Sequence, residues 1–168
     1  YSWEIRKRER VQSKKAVDLK AWTLDQIHAE ASREYAAAWA YREQLGSIST
    51  EKMAEYVQPS DYPRKIRDTL RDTVSYLWAQ LLADTSAWRP EHANQVYELD
   101  LPALIQGRES GPPADARVHP LRRIAAILGD LQRWHGKAGR AEAAFEARTT
   151  RLEVLHRNFT ADHQRQRI

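Results

Sequence analysis

Cysteine is absent from this chain of 168 residues. That absence excludes disulfides, zinc–thiolate centres, iron–sulfur clusters and cysteine nucleophiles together. It leaves the compartment open, because a chain without thiols suits either redox setting. Glycine is sparse at six residues, which argues against a fold of many tight hairpins and against phosphate-cradling loops. No apolar run approaches the ~18–20 residues that a membrane span needs. The chain opens on Tyr1, Ser2 and Trp3 without a methionine, which reads as a piece or a processed product of a larger protein. His-Glu-x-x-His, Gly-x-Ser-x-Gly, the P-loop and Gly-x-Gly-x-x-Gly are all missing.

What is present begins with charge. Lys and Arg number 27 against 23 Asp and Glu, a net +4. Within residues 1–20, seven bases (Arg6, Lys7, Arg8, Arg10, Lys14, Lys15, Lys20) face three acids (Glu4, Glu9, Asp18), so the whole surplus sits there and the rest of the chain is balanced. Arg6, Lys7, Arg8, Arg10, Lys14 and Lys15 could contact phosphates or an anionic surface. The interspersed acids fit a solvated helix face better, and nucleic acid is disfavoured as a partner. Apolar residues make up 42% of the chain, too many for disorder.

Helical spacing dominates. Leu24, Ile27, Ala31, Tyr35, Ala38 and Leu45 lie on one face of a long amphipathic helix whose start could extend back through Leu19, Val17 and Val11, and which ends at Gly46. Ser49 or Thr50 caps a short helix through Met53 and Val57. Asp61 and Pro63 open the next, from about 63 to 83, on a stripe of Ile66, Leu70, Val74, Leu77 and Leu81. Trp88, Arg89 and Pro90 lead into irregular chain. Asp100 caps a short helix stopped by Gly107. Residues 107–119 concentrate Pro and Gly and read as a linker.

From Pro120 the sequence predicts a helical hairpin. Its first helix faces inward with Leu121, Ile124, Leu128, Leu131 and His135. Residues 136–139 turn the chain. The second helix, to about Arg157, points Ala141, Ala144, Phe145, Leu152 and Leu155 inward, and Thr160 caps a further helix. Leu128, Leu131, His135, Gly139 and Ala144 match the large, large, aromatic, glycine and alanine positions of a tetratricopeptide repeat. Arg148 and Arg151 then depart from it, and no second copy follows. The fold class is all-α: an antiparallel helical bundle or irregular helical-hairpin array with one degenerate tetratricopeptide-like hairpin. The expected layout is a bundle over 1–106, a linker over 107–119 and a hairpin over 120–168, packed as one domain.

The constellations with chemical potential are few. Glu153 and His156 have the spacing of half a carboxylate di-metal site, without the second half. Arg67 to Thr73 alternates basic and acidic residues and reads as a solvated, ion-paired helix face. His28, His92, His119, His135, His156 and His163 are scattered. No catalytic residue, cofactor or metal ligand is assigned. Trp88 and Trp134 are candidate interaction residues that equally suit helix–helix gaps.

Four stretches (70–90, 94–101, 119–135 and 139–147) together resemble the helical N-terminal region of very large bacterial alpha-macroglobulin-like proteins. The resemblance spans roughly residues 60–160. It implies an envelope or secreted parent that traps proteases, with this chain as an accessory helical module. The family's thioester needs a Cys-x-x-Glu/Gln motif, so no thioester residue carries over to this cysteine-free chain. The expected function is thus a non-enzymatic interaction or spacer module of a larger protein, partnered by another protein or by other domains of the same polypeptide. The alternatives are a nucleic-acid-binding helical protein using residues 1–20, or a helical-bundle enzyme whose site assembles across helices.

Overall fold

The computed structural model describes residues 18–58, 61–108 and 112–168. Among them are eight α-helices and no strand, only an isolated bridge between Ser49 and Thr69. The α-helices are α1 (Leu24–Ala40), α2 (Arg42–Leu45), α3 (Leu70–Ala83), α4 (Pro90–Gln95), α5 (Leu101–Gln106), α6 (Pro120–Lys137), α7 (Ala141–Asn158) and α8 (Asp162–Arg165). The all-α expectation holds. One hydrophobic core joins Tyr76, Trp78, Ala79 and Leu82 of α3 to Leu121, Ile124, Leu128 and Leu131 of α6 and to Ala147, Val154 and Leu155 of α7. It therefore draws on both sides of the 107–119 segment. Helix α6 is central, lying against α3, α5 and α7.

Local chemistry sets the helix ends. Thr23 and Gln26 form a reciprocal capping box that starts α1, so that helix does not extend back through Leu19. Val11 and Val17 lie outside the described residues. The expected face of α1 is half-buried, and none of its residues is fully enclosed. Tyr41 interrupts the helix before α2. Ser49 caps a 3-10 turn, Thr50–Met53, that stops short of Val57.

The helix expected from 63 begins instead at Leu70. Lys65 takes a left-handed conformation at φ 73°, which no α-helix accommodates. Thr69 and Asp72 supply a second capping box. The stripe of Leu70, Val74, Leu77 and Leu81 is not the enclosed face: Leu77 is 44% exposed. The buried face carries Arg71, Asp72, Ser75, Tyr76, Trp78, Ala79 and Leu82. The supposedly irregular chain after Trp88 contains α4, with Pro90 at its first position.

In the hairpin, α6 buries Leu121, Ile124, Leu128, Leu131 and His135 as expected. Gly139, at φ 70°, closes the turn, and Arg140 N donates to His135 O at 2.9 Å. Helix α7 is rotated from its expected register. It buries Ala143, Ala147, Arg151, Val154 and Leu155, while Phe145 is 68% exposed and Ala141 is open. Small Ala143 and Ala147, rather than Ala144, allow the close approach to α6. Helix α8 starts after Ala161 with no side-chain cap, so Thr160 does not cap it.

The stretch 107–119 is anchored at both described ends. Gly107 ends α5 in a left-handed conformation, and a Cβ on Gly129 of α6 would run into the Gly107 carbonyl. Such backbone contact demands glycine on the helix. His119 is buried and caps α6.

Candidate functional site

The strongest concentration of polar chemistry lies where α3 crosses α6, on the segment expected to be solvated. That expectation is corrected: Thr69, Arg71 and Asp72 are all buried. A buried charge is tolerated only when paired, and Arg71 and Asp72 both are, although Arg71 Nε and Nη1 find no hydrogen-bond partner among the described residues. Asp72 Oδ2 accepts from Thr69 N at 3.1 Å and from Thr69 Oγ1 at 2.6 Å. Asp72 Oδ1 lies 2.7 Å from His135 Nε2. The carboxylate thus starts α3 and ties it to α6. An Asp–His pair is the orienting half of a general-base arrangement. Here both side chains are 0% exposed, and the pair joins the start of α3 to α6.

A charged cluster surrounds it. Arg71 Nη2 donates to Asp130 Oδ2 at 2.7 Å and Nη1 sits 3.1 Å from Glu43. Arg42 Nε lies 3.2 Å from the same Asp130 oxygen. Trp134 is stacked by two guanidinium groups, Arg140 at 4.2 Å and Arg71 at 4.5 Å. Its ring packs on Gly46, where a Cβ would meet Cζ2 at 2.6 Å. Arg67 pairs with Glu146 and stacks on Tyr76 at 3.7 Å and Tyr62 at 4.0 Å. Burial, above all, raises the Tyr76 phenol above its ordinary range.

Arg151 is the second buried cation, 1% exposed. Its Nη2 donates to Ile105 O at 3.0 Å and Gln132 Oε1 at 2.8 Å, and Arg133 Nη1 donates to Gly107 O at 2.8 Å. Arg151 thus occupies a carbonyl of the last turn of α5 and Arg133 that of its C-cap, at the negative end of the helix. Desolvation, aided by Arg148 and Arg133, pushes the Arg151 guanidinium down to about 10. Arg123 likewise spans elements, donating to Pro113 O at 2.6 Å and Ser32 Oγ at 2.7 Å. Trp78 Nε1 shares that hydroxyl at 3.2 Å.

Trp88 belongs to a third corner. Its Nε1 donates to Leu82 O at 2.8 Å, and its ring meets His119 edge-on at 5.3 Å. His119 Nδ1 accepts from Leu121 N at 3.1 Å, while His119 Nε2 contacts His92 O at 2.9 Å. Desolvation lowers the basicity of both histidines, with Arg89 adding to the effect at His92.

Of the interaction candidates, Trp88 and Trp134 are partly buried and serve different corners. Arg6, Lys7, Arg8, Arg10, Lys14 and Lys15 lie outside the described residues. Glu153 and His156 are exposed, and among the described residues no group of three or more His, Asp or Glu could hold a metal ion. No helix among them is long and apolar enough to cross a membrane. The sequence reading missed Arg71, Asp72, His119, Arg123 and Arg151. The Thr69-x-x-Asp72 spacing was the one available local signal. Comparison with family models, with curated proteins and with solved structures gave no match.

Proposed function

We propose that this chain is a non-enzymatic helical interaction module. The observation that supports it most directly is the outer face of α7. Ala141 and Phe145 are exposed there and Leu152 is half-buried, although the same helix buries its other face against α6. A helix with apolar positions on both faces suits a second packing partner. That partner is another protein or another domain of the same polypeptide. In the finer reading, carried by the resemblance, the parent is a bacterial alpha-macroglobulin-like protease trap and this chain is an accessory region.

A photo-crosslinking residue at position 145 in the parent polypeptide tests the module. The expected result is one discrete adduct, lost when Leu152 is replaced by Asp. Absence of any adduct, with amide exchange over 141–152 unchanged by the rest of the polypeptide, overturns the reading. Incubating the parent with proteases of several classes tests the finer one: failure to retain any of them removes the trap.

A further inference from the structure

We propose that His92 and His119 form an acid-sensitive latch, which fastens Trp88 and α4 to the start of α6 and opens as the histidines gain protons. The inference rests on the fold alone and stands apart from the interaction reading.

The geometry fixes the tautomer. His119 Nδ1 faces the Leu121 N–H at 3.1 Å, and an N–H can only donate. Nδ1 must therefore be an unprotonated acceptor. The ring hydrogen then sits on Nε2 and is donated to the His92 carbonyl at 2.9 Å. One neutral ring does two jobs: it caps α6 and it holds α4. Pro120 occupies the first position of α6, so Leu121 offers one of the first free N–H groups that a cap must satisfy.

A second proton on Nδ1 would set two N–H groups head to head and cost the cap. It would also put a cation at a helix N-terminus, the positive end of the dipole. The surroundings add to this. His92 approaches His119 at 5.3 Å between ring centroids. Arg89 and Arg122 oppose charge on these rings, as does Arg123 at His92. Glu91 on α4 favours it. Asp115, in the loop before α6, is engaged by Arg117 through several hydrogen bonds. Trp88 lies edge-on against the His119 ring. His92 Nδ1 is itself buried without a hydrogen-bond partner among the described residues, so its protonation would enclose an unsatisfied N–H. A released His119 regains its ordinary basicity, so each pH unit below about 6.5 favours the open form by up to about tenfold per histidine.

Imidazole nitrogen NMR of the whole chain reads the tautomer directly, and the expected result is His119 as the Nε2–H form at pH 7.5. Hydrogen exchange from pH 7.5 to 5.0, corrected for intrinsic rates, reads the opening. Protection over 88–96 and 119–124 should fall at least tenfold, while the middle of α6, 125–135, keeps its protection. His119→Asn retains an acceptor for Leu121 and has no proton to gain, so its profile should be clearly shallower, with only the His92 contribution left. His92→Gln removes the neighbouring charge without touching the cap, so the His119 midpoint should move upward. A His119 Nδ1–H tautomer, a flat wild-type profile, or an unchanged fall in His119→Asn overturns the latch. Should that variant not fold, the wild-type tautomer and the His92→Gln midpoint decide.

Discussion

The imidazole of His135 and the carboxylate of Asp72 meet at 2.7 Å with neither side chain exposed. Sixty-three residues apart in the chain, they bind the start of α3 to the end of α6. Removing one member leaves the other buried without its partner, which typically costs about 3–5 kcal/mol. Asp72→Ala also deletes the capping box. It should lower stability in urea by at least that amount, and His135→Ala by somewhat less. The double variant should cost less than the sum by 1 kcal/mol or more, about the coupling expected of residues in direct contact.

Two glycines of α6 should respond in opposite directions. Gly129→Ala places a methyl group on the Gly107 backbone, and overpacking of this kind costs about 1–3 kcal/mol. Gly136 has nothing within 4 Å of its added Cβ. Gly136→Ala should gain up to about 1 kcal/mol from helix propensity. Thermal melting of the two single variants checks the contrast.

Arg151 satisfies the Ile105 carbonyl and Gln132 together. Arg151→Lys offers a single point charge in place of a planar fork. It should fail to restore what Arg151→Met removes. Both variants should lose about 1–3 kcal/mol, the cost of leaving buried acceptors unmet. Amide exchange over 101–106 should rise before that of α3.

Acid should weaken the fold through His92 and His119. Burial holds both below their ordinary range in the folded chain, so the unfolded chain binds more protons once the pH drops below about 6.5. Stability is then complete above that pH and declines as pH falls toward the folded values. The slope is at most about 1.4 kcal/mol per pH unit for each group. Urea midpoints at pH 7.5 and 5.5 should differ in that sense, and His119→Asn should narrow the difference.

The stripe on α6 was legible because one side of that helix is apolar and the other is not. Leu121, Ile124, Leu128 and Leu131 announce the core without help from any distant residue. Helix α3 was misread for the opposite reason. Arg71 and Asp72 can be buried only because Asp130 and His135 wait on another helix, and no local period reports a partner so far along the chain. Helix α7 was misread by rotation. Its apolar residues occupy two faces, and a buried Arg151 stands where periodicity asks for an apolar side chain. His119 closes the stretch that the sequence marks as a linker, since a histidine cap made by Nδ1 leaves no pattern in the sequence.

The Gly107–Gly129 contact has a further meaning for the chain that follows it. With Gly107 pressed on α6 and His119 seated at the head of the same helix, both ends of the intervening stretch are held by one rigid rod. Their separation does not depend on how many residues connect them. Closing a longer loop between fixed points costs only about 0.6 kcal/mol for each doubling of its length. Residues inserted into this crossing, away from the Pro113 carbonyl that Arg123 holds, should therefore leave the helices on either side in place.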